Sequence, residues 1–525
     1  MIKPFSAGEL KDPGTCLGEL WARVPHYIRV TFCSALVLGF VTHMYMFTNK
    51  FTNHDDVGSL FGNSYGAASG RWLRPFVLPL SGGTSMPWLV GLMSLLCLAA
   101  VACLTVSLLR IRRPLGCIAA SAILTTFPVV LSTFTYMYSA FAYFFSLLLA
   151  ALGAWTAVRW RWWGIALGAV SIALSLSIYQ SYLPVAAALM VGALLLEVLD
   201  GEHSFKELFL NGVRLLSTLI AGLILYMVTV RVSTGGKGLV NYMGLQDMGR
   251  ISLRDLPKQI AAAYTKPVQF FWLDEFQCHF RGLKYVLVLA AVATVVLLAV
   301  LLWKKRLGPA RTALAAALFL VFPLAADLIY IMVPNAYVHS LMIYGLCYLL
   351  LLPLSLAEYT QPVLKEGNVR IVQWTASWVI LLAVLAASYA YLLADNNTYL
   401  KLDISMRQCE AYSNRLLERV ESCEGYQPDM AVVLVGSDVR NPSLTPTPEM
   451  GDARFTGVLD FAGLRTAYTY AYFLRNFLGF PGQVYLGGSQ EAKDLAADEQ
   501  VRAMPCYPAD GSVRIVGDAV VVKLN

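Results

Sequence analysis

Along most of the chain, apolar residues come in long runs broken by short turns or charged stretches. A hydrocarbon layer about 30 Å thick is crossed by roughly 20 apolar helical residues, because a helix satisfies its own backbone where there is no water. Runs of that kind lie near 29–47, 87–109, 115–133, 138–158, 163–179, 183–199, 213–232, 283–303, 312–332, 339–357 and 371–393. They predict a polytopic α-helical membrane protein with about eleven transmembrane helices. The count is ten if the runs flanking Tyr179-Gln180-Ser181-Tyr182-Leu183-Pro184 form one kinked element.

After residue 394 the pattern changes. Ile404–Val420 has helical spacing and many charges, Ala431–Gly436 reads as a buried strand, and Tyr468–Phe477 as a helix. Arg514–Leu524 is strand-like around Gly517-Asp518. The chain therefore divides into an N-terminal segment 1–28, a membrane part 29–394 and a small α/β domain 395–525.

Short basic loops stay in the cytoplasm. Arg110, Arg112 and Arg113; Arg159 and Arg161; Lys206 and Arg214; Lys304, Lys305, Arg306 and Arg311; and Lys365 with Arg370 all occupy alternate loops. Together with Lys3, Lys11, Arg23 and Arg29, they place the N-terminus in the cytoplasm and the C-terminal domain outside. The first apolar run begins too far along the chain for a cleaved signal peptide. Two long loops, 48–86 and 233–281, then join the C-terminal domain on the outer side, where chemistry is expected.

Composition supports this picture: 57% of residues are hydrophobic, only 14% are charged, and the mean hydropathy is +0.59. The net charge of +7 is unevenly spread. Residues 395–525 hold 12 basic and 17 acidic side chains, and the preceding residues hold 28 and 16. A basic membrane part with an acidic water-facing tail does not describe a nucleic-acid binder, and no nucleic-acid motif appears. Of the ten cysteines most lie in apolar runs, while Cys409, Cys423 and Cys506 fall in the tail, where two can pair in an oxidising exterior. Asn396-Asn397-Thr398 fits a glycosylation acceptor.

The first outer loop carries Asn53-His54-Asp55-Asp56 and, further on, Gly70-Arg71-Trp72-Leu73-Arg74. A carboxylate at a membrane surface can take a proton from a sugar hydroxyl, and a guanidinium fork suits phosphate. Paired acids can also hold Mg²⁺ or Mn²⁺. The alternative is structural: Asp55 and Asp56 capping a helix Val57–Ser69, with Gly62, Gly66 and Gly70 set for close helix packing.

Aromatic side chains gather at the outer ends of the next runs. Phe134, Tyr136, Met137, Tyr138, Tyr143, Phe144 and Phe145 surround one turn, and Tyr179, Gln180 and Tyr182 another. Such residues bind sugars, and they also form ordinary interfacial belts. The second outer loop mixes Gly235-Gly236-Lys237-Gly238, Arg250, Arg254, Lys258, Lys266 and Arg281 with Phe270, Phe271, Trp272, Phe276 and Phe280, a composition suited to the interface and to a lipid phosphate. It lacks the spacing of a P-loop. Asp327, His339 and His43 are ionisable residues in or near apolar runs.

Asn53-His54-Asp55-Asp56, Gly70-Arg71-Trp72, Tyr136-Met137-Tyr138-Ser139-Ala140, Ser175-Leu176-Ser177-Ile178-Tyr179-Gln180-Ser181-Tyr182 and Met504-Pro505-Cys506-Tyr507-Pro508 together resemble the Gtr-type glucosyl transferase II family of bacterial and phage membrane enzymes. The resemblance implies a GT-C type glycosyltransferase in the bacterial inner membrane. It implies a polyprenyl-phosphate glucose donor, by expectation undecaprenyl, and an O-antigen or similar glycan acceptor. It names no required cofactor, and use of Mg²⁺ or Mn²⁺ by the paired acids stays open. Carried onto these residues, it makes Asp55 or Asp56 the base. His54, Arg71, Trp72, Tyr138, Gln180 and Tyr182 become candidate substrate contacts, to which the reading of the loops and spans adds Asn53, Arg74, Tyr136, Lys237, Arg281 and His339. The same helices and cations would also serve a flippase for a lipid-linked sugar, although no internal repeat is evident.

Overall fold

The computed structural model describes residues 12–62, 67–237, 239, 254–333, 338–364, 367–437, 455–458, 463–466 and 469–525. The expectations placed on Gly66, Gly238, Arg250, Lys365 and Tyr468 lie outside the described residues.

A short helix α1 (Pro13–Arg23) leads into α2 (His26–Thr48), and a loop containing the one-turn helix α3 (Arg74–Val77) connects to α4 (Pro87–Leu108). Next come α5 (Pro114–Thr126), α6 (Pro128–Phe134), α7 (Met137–Arg159), α8 (Trp162–Ile178), α9 (Leu183–Asp200) and α10 (Phe205–Ser233). Beyond them lie α11 (Leu256–Leu273), α12 (Leu283–Lys305), α13 (Pro309–Ala326), the short α14 (Ile329–Met332) and α15 (Tyr348–Thr360). Among the described residues, eight helices are long and apolar enough to cross a membrane, or nine with α5 and α6 taken as one span. Outward-facing Val288, Leu289, Val292 and Val295 on α12 are exposed, as a lipid-facing stripe requires.

Proline punctuates these helices at points that shape the site. Pro128 has no N–H to donate, and its ring drives Phe127 into an extended conformation (φ −60°, ψ 133°), so α5 and α6 meet at 44°. The runs flanking Gln180 are likewise two helices, α8 and α9, separated by a tight turn at Gln180–Tyr182. Glycines bring α7, α8 and α10 together: a Cβ on Gly168 would stand 2.8 Å from Thr218 Cγ2 and 3.0 Å from the Gly153 carbonyl. At the basic end of the bundle, Arg110 Nη1 reaches Asp200 Oδ2 at 2.7 Å. There Lys305 Nζ donates to the Leu199 carbonyl and the Tyr359 hydroxyl, each at 2.7 Å.

The last long helix, α16 (Gly367–Glu421), runs 55 residues, roughly 80 Å at about 1.5 Å per residue, and passes through position 394 without a break. Its second half carries a four-stranded sheet in the order β2-β1-β4-β3, built from β1 (Ala431–Val435), β2 (Val484–Tyr485), β3 (Val513–Val516) and β4 (Ala519–Lys523). β1 runs parallel to β2 and β4, and β3–β4 is a hairpin turning at Gly517-Asp518. The strand period of two splits this sheet: Val433, Val435 and Val521 face α18 (Gln490–Ala497) and α19 (Glu499–Ala503), whereas Val432, Leu434, Val520 and Val522 join the main core with Leu417 and Val420 of α16. A further helix, α17 (Tyr470–Leu478), packs on α16.

Two expectations are corrected. Cys409 is buried in α16, Cys423 is half-buried and Cys506 is exposed, and no disulfide links the three. Asn396 sits inside α16 and donates to the carbonyls of Thr42 and Leu392 at 3.2 and 3.0 Å, which occupies the amide a glycan would need.

Candidate active site

The expected helix Val57–Ser69 is absent from its described residues, which form turns up to Gly62 and a single 3-10 turn at Ala67–Ser69. Instead, the Asn53 side chain organises the loop. Its Oδ1 accepts from the backbone N–H groups of Asp55 at 3.0 Å and Asp56 at 2.8 Å, a local turn that aspartate and asparagine commonly build.

That turn sends the two neighbouring carboxylates into different surroundings. Asp56 is fully buried. Its Oδ2 accepts from Lys50 Nζ at 2.5 Å and Thr52 Oγ1 at 3.1 Å, and its Oδ1 from Ser85 Oγ at 2.5 Å and the Tyr138 N–H at 3.0 Å. A carboxylate offers about four lone-pair positions, and all of them are taken. The Tyr138 N–H belongs to the first turn of α7, whose own N-cap residue, Tyr136, provides no side-chain bond. Asp56 therefore caps that helix from a distance, with its negative charge at the positive end of the helix.

Asp55 differs on every count. Its side chain is 47% exposed, 3.9 Å from His54 Nε2, and its charge reaches Tyr136. Burial, and after it the charge of Asp55, push the Tyr136 phenol up from its ordinary range. The His54 ring meets Tyr136 edge-on with centroids 5.9 Å apart.

The second half of the loop is stitched to the junction of α8 and α9. Gly70 is in the left-handed region (φ 76°), and a Cβ there would stand 2.5 Å from the Tyr226 hydroxyl and 3.2 Å from Gln180 Nε2, so only glycine fits. The Leu73 N–H donates to the Ser177 carbonyl at 3.1 Å. Gln180 donates to the Ser69 carbonyl at 2.9 Å and the Tyr226 hydroxyl at 3.0 Å, and its Oε1 accepts from Arg71 Nε at 3.3 Å. The Arg71 guanidinium lies 4.9 Å from the centre of the Tyr179 ring. Tyr179 in turn stacks on Tyr143 at 4.5 Å and meets Tyr182 edge-on at 5.3 Å. Trp72 donates to Thr229 at 3.2 Å, and the buried Arg74 donates to Ser139 at 2.6 Å beneath Tyr138.

One fold thus gathers Asn53, His54, Asp55, Asp56, Arg71, Trp72, Arg74, Tyr136, Tyr138, Gln180 and Tyr182. The charge of Arg71 also reaches His339. Their roles separate by burial. Asp56, Arg74, Gln180 and Tyr182 are locked into the wall, whereas His54, Asp55 and Arg71 keep solvent-accessible surface. Lys237 and Arg281 are exposed, on the turn after α10 and on the α11–α12 loop. His43 is a satisfied core histidine, 2.7 Å from the Tyr399 hydroxyl and 2.8 Å from the Thr125 carbonyl. Asp327 is buried at the end of α13, where the charge of Lys266 reaches it. Among the described residues, no third acid, histidine or cysteine joins Asp55 and Asp56 in a ligand group.

Sequence reasoning missed Lys50, Ser85 and Tyr226, which lack any motif. It also missed a piece of the tail. Phe455 stacks on Phe276 at 5.4 Å, Thr456 and Ser340 exchange hydrogen bonds of 2.8 and 3.2 Å, and Gly457 lies against Thr135, Tyr136 and Asn53. The tail therefore forms part of the wall around the loop between α2 and α4.

The chain matches the family model for Glucosyl transferase GtrII over residues 44–350. That span holds the whole constellation except the tail segment. No curated protein and no solved structure matches the chain.

Proposed function

The chain belongs to the glucosyl transferase GtrII family of membrane glucosyltransferases, and from that premise we propose that it moves glucose from a polyprenyl-phosphate donor to a cell-surface glycan, with Asp55 as the base. The observation that carries this reading is the contrast between the two acids: Asp56 is saturated by four donors and Asp55 is left at the surface beside Tyr136.

In the proposed reaction the acceptor hydroxyl gives its proton to the Asp55 carboxylate and its oxygen attacks the anomeric carbon. The bond from that carbon to the donor phosphate breaks, its electron pair leaves with the polyprenyl phosphate, and the configuration inverts. Arg71, held in plane by Tyr179 and Gln180, offers its remaining N–H groups to the departing phosphate. A largely apolar cavity of about 560 Å³ among α11, α12, α13, α15 and α16, lined by Phe271, Trp272, Leu287 and Pro323, has the chemistry a polyprenyl chain requires.

The same reading gives the chain eleven spans, its N-terminus in the cytoplasm and its tail outside the inner membrane. Nine of the eleven runs lie on helices long and apolar enough to cross once α5 and α6 count as one span, the run 163–179 lies on the shorter apolar α8, and Arg110, Asp200, Lys305 and Tyr359 meet at the end opposite the proposed site, which supports this reading.

The test is transfer in liposomes containing undecaprenyl-phosphate glucose and a glycan from the source envelope, read by mass. A gain of one hexose that disappears in Asp55→Asn supports the reading. Full transfer by Asp55→Asn overturns the base assignment, and donor movement across the bilayer without transfer makes the protein a flippase.

A further inference from the structure

Away from the proposed base, the turn between α11 and α12 gathers three groups that ligate metals. Asp274, Cys278 and His279 each offer one donor atom, and the three donors lie within 4.8 Å of one another. The backbone folds around the Asp274 carboxylate. Asp274 and Gln277 both adopt left-handed conformations (φ 50° and 53°), and Asp274 Oδ1 accepts from the Cys278 N–H at 2.8 Å and the His279 N–H at 3.3 Å. These bonds fix the turn and leave lone pairs on the carboxylate free for a further partner.

Two observations point to what that partner is. His279 has a side chain only 4% exposed, its Nδ1 stands 3.6 Å from Asp274 Oδ1, and that nitrogen has no hydrogen-bond partner. Its Nε2 is turned to the Tyr391 hydroxyl at 3.4 Å, the outer-shell contact that orients a ligating imidazole. Across the cluster, Asp395 of α16 is completely buried, and neither of its oxygens has a hydrogen-bond partner. Asp395 lies one helical turn beyond Tyr391, whose hydroxyl meets His279 Nε2. Among the described residues, no lysine or arginine forms an ion pair with Asp274 or Asp395. Asp274 is part-exposed, but the fully buried Asp395 is costly without a cation beside it, and this cluster supplies acceptors and a thiol only.

We propose that Asp274, Cys278 and His279 form a binding site for a divalent transition-metal ion of the zinc class, with Asp395 as the nearby fourth acidic group. A thiolate, an imidazole and a carboxylate favour zinc over magnesium or calcium, which take oxygen ligands. Zinc-to-ligand bonds of about 2.0–2.3 Å place tetrahedral donors roughly 3.3–3.8 Å apart, so the observed spread needs only a small closure. Binding releases the Cys278 proton to solvent as the sulfur–metal bond forms. The ion would clip the α11–α12 turn to α16. Phe276 lies in that turn and stacks on Phe455, so the ion would also brace the tail segment against the outer loop. This role is separate from sugar transfer.

The full-length protein in detergent, stripped with a chelator and titrated with zinc against a chromophoric competitor, is expected to take one equivalent. With Co²⁺ it should show the near-ultraviolet band of thiolate ligation. Cys278→Ser should abolish the band and weaken zinc binding roughly 100-fold or more, while Cys423→Ser leaves both unchanged. Absence of the cobalt band in the unaltered protein, or equal zinc affinity in Cys278→Ser, overturns the site. Should Cys278→Ser fail to fold, His279→Gln and the cobalt spectrum of the unaltered chain decide the question.

Discussion

The ammonium of Lys50 lies 2.5 Å from Asp56 Oδ2 and also donates to Ser85 Oγ at 2.7 Å, which in turn donates to the same carboxylate. Lys50 follows α2 by two residues, Ser85 precedes α4, and the Tyr138 N–H that completes the set lies in the first turn of α7. One carboxylate thereby ties together the neighbouring ends of three helices. This fixes the platform on which Asp55, the next residue back, stands exposed. The pair consists of one positioning acid and one acid that can meet a substrate.

The two acids should therefore fail differently when each is changed to asparagine. Asp55→Asn is expected to fold with unchanged thermal stability, to bind donor normally, and to lose about 10²–10⁴-fold in kcat. Asp56→Asn removes the charge opposite Lys50 and puts an NH₂ group where only acceptors fit, at a cost of roughly 3 kcal/mol. Its signature is a lowered melting temperature. Thermal unfolding and single-turnover transfer on the same preparations would separate the two, and equal stability of both variants would refute the division of roles.

How much of this the sequence discloses depends on the range of the interaction. The helices were legible because each apolar run is bounded by its own charges or prolines. So was the β3–β4 hairpin, whose turn at Gly517-Asp518 is local. The continuity of α16 past the membrane had a signal, since neither proline nor glycine occurs between Gly367 and Gly425, yet the change from apolar to charged composition suggested a boundary there. The distinction between Asp55 and Asp56 had no local signal. It rests on Ser85 and Tyr138, which are 29 and 82 residues away along the chain. The helix that the structural alternative placed after Asp56 is interrupted at Gly62, whose positive φ (136°) is not a helical conformation.

Arg71 offers a sharper test of the phosphate reading than removal of its charge. In Arg71→Lys the charge stays, but the planar contact with Tyr179 and the Nε bond to Gln180 are lost. The expected result is a donor KM about tenfold higher, corresponding to a stacking contribution of about 1.4 kcal/mol, with the acceptor KM little changed. Initial-rate kinetics with each substrate varied in turn would show it. A selective rise in acceptor KM would instead place Arg71 on the glycan.

Native cysteines allow the orientation to be read without adding tags. Cys16 on α1 and Cys506 in the tail are both exposed, whereas Cys409 is buried. In intact spheroplasts a membrane-impermeant maleimide should label Cys506, and Cys16 should react only after the membrane is opened. Cys506→Ser should remove most of the outside labelling. Labelling of Cys16 in intact spheroplasts would reverse the proposed orientation.

Gly457 connects the tail to the proposed site, and it tests whether the tail takes part in transfer. Its φ of 82° is strained for any side chain. A Cβ there would collide with Thr135 Oγ1 and stand 2.6 Å from Tyr136 Cε2 and 2.9 Å from Asn53 Nδ2. Two of those neighbours support Asp55, Asn53 through its backbone turn and Tyr136 through the wall beside it. Gly457→Ala must then either displace the tail segment or push these groups aside. The sheet is held by contacts elsewhere, so it should stay folded while protease sensitivity rises around 455–458. Transfer should fall at least tenfold, because an error of about 1 Å in a reacting group is enough for a larger loss. Limited proteolysis with mass mapping, run beside the transfer assay, distinguishes this from global unfolding. Undiminished transfer with the segment released would show that the tail packs on the site without contributing to it.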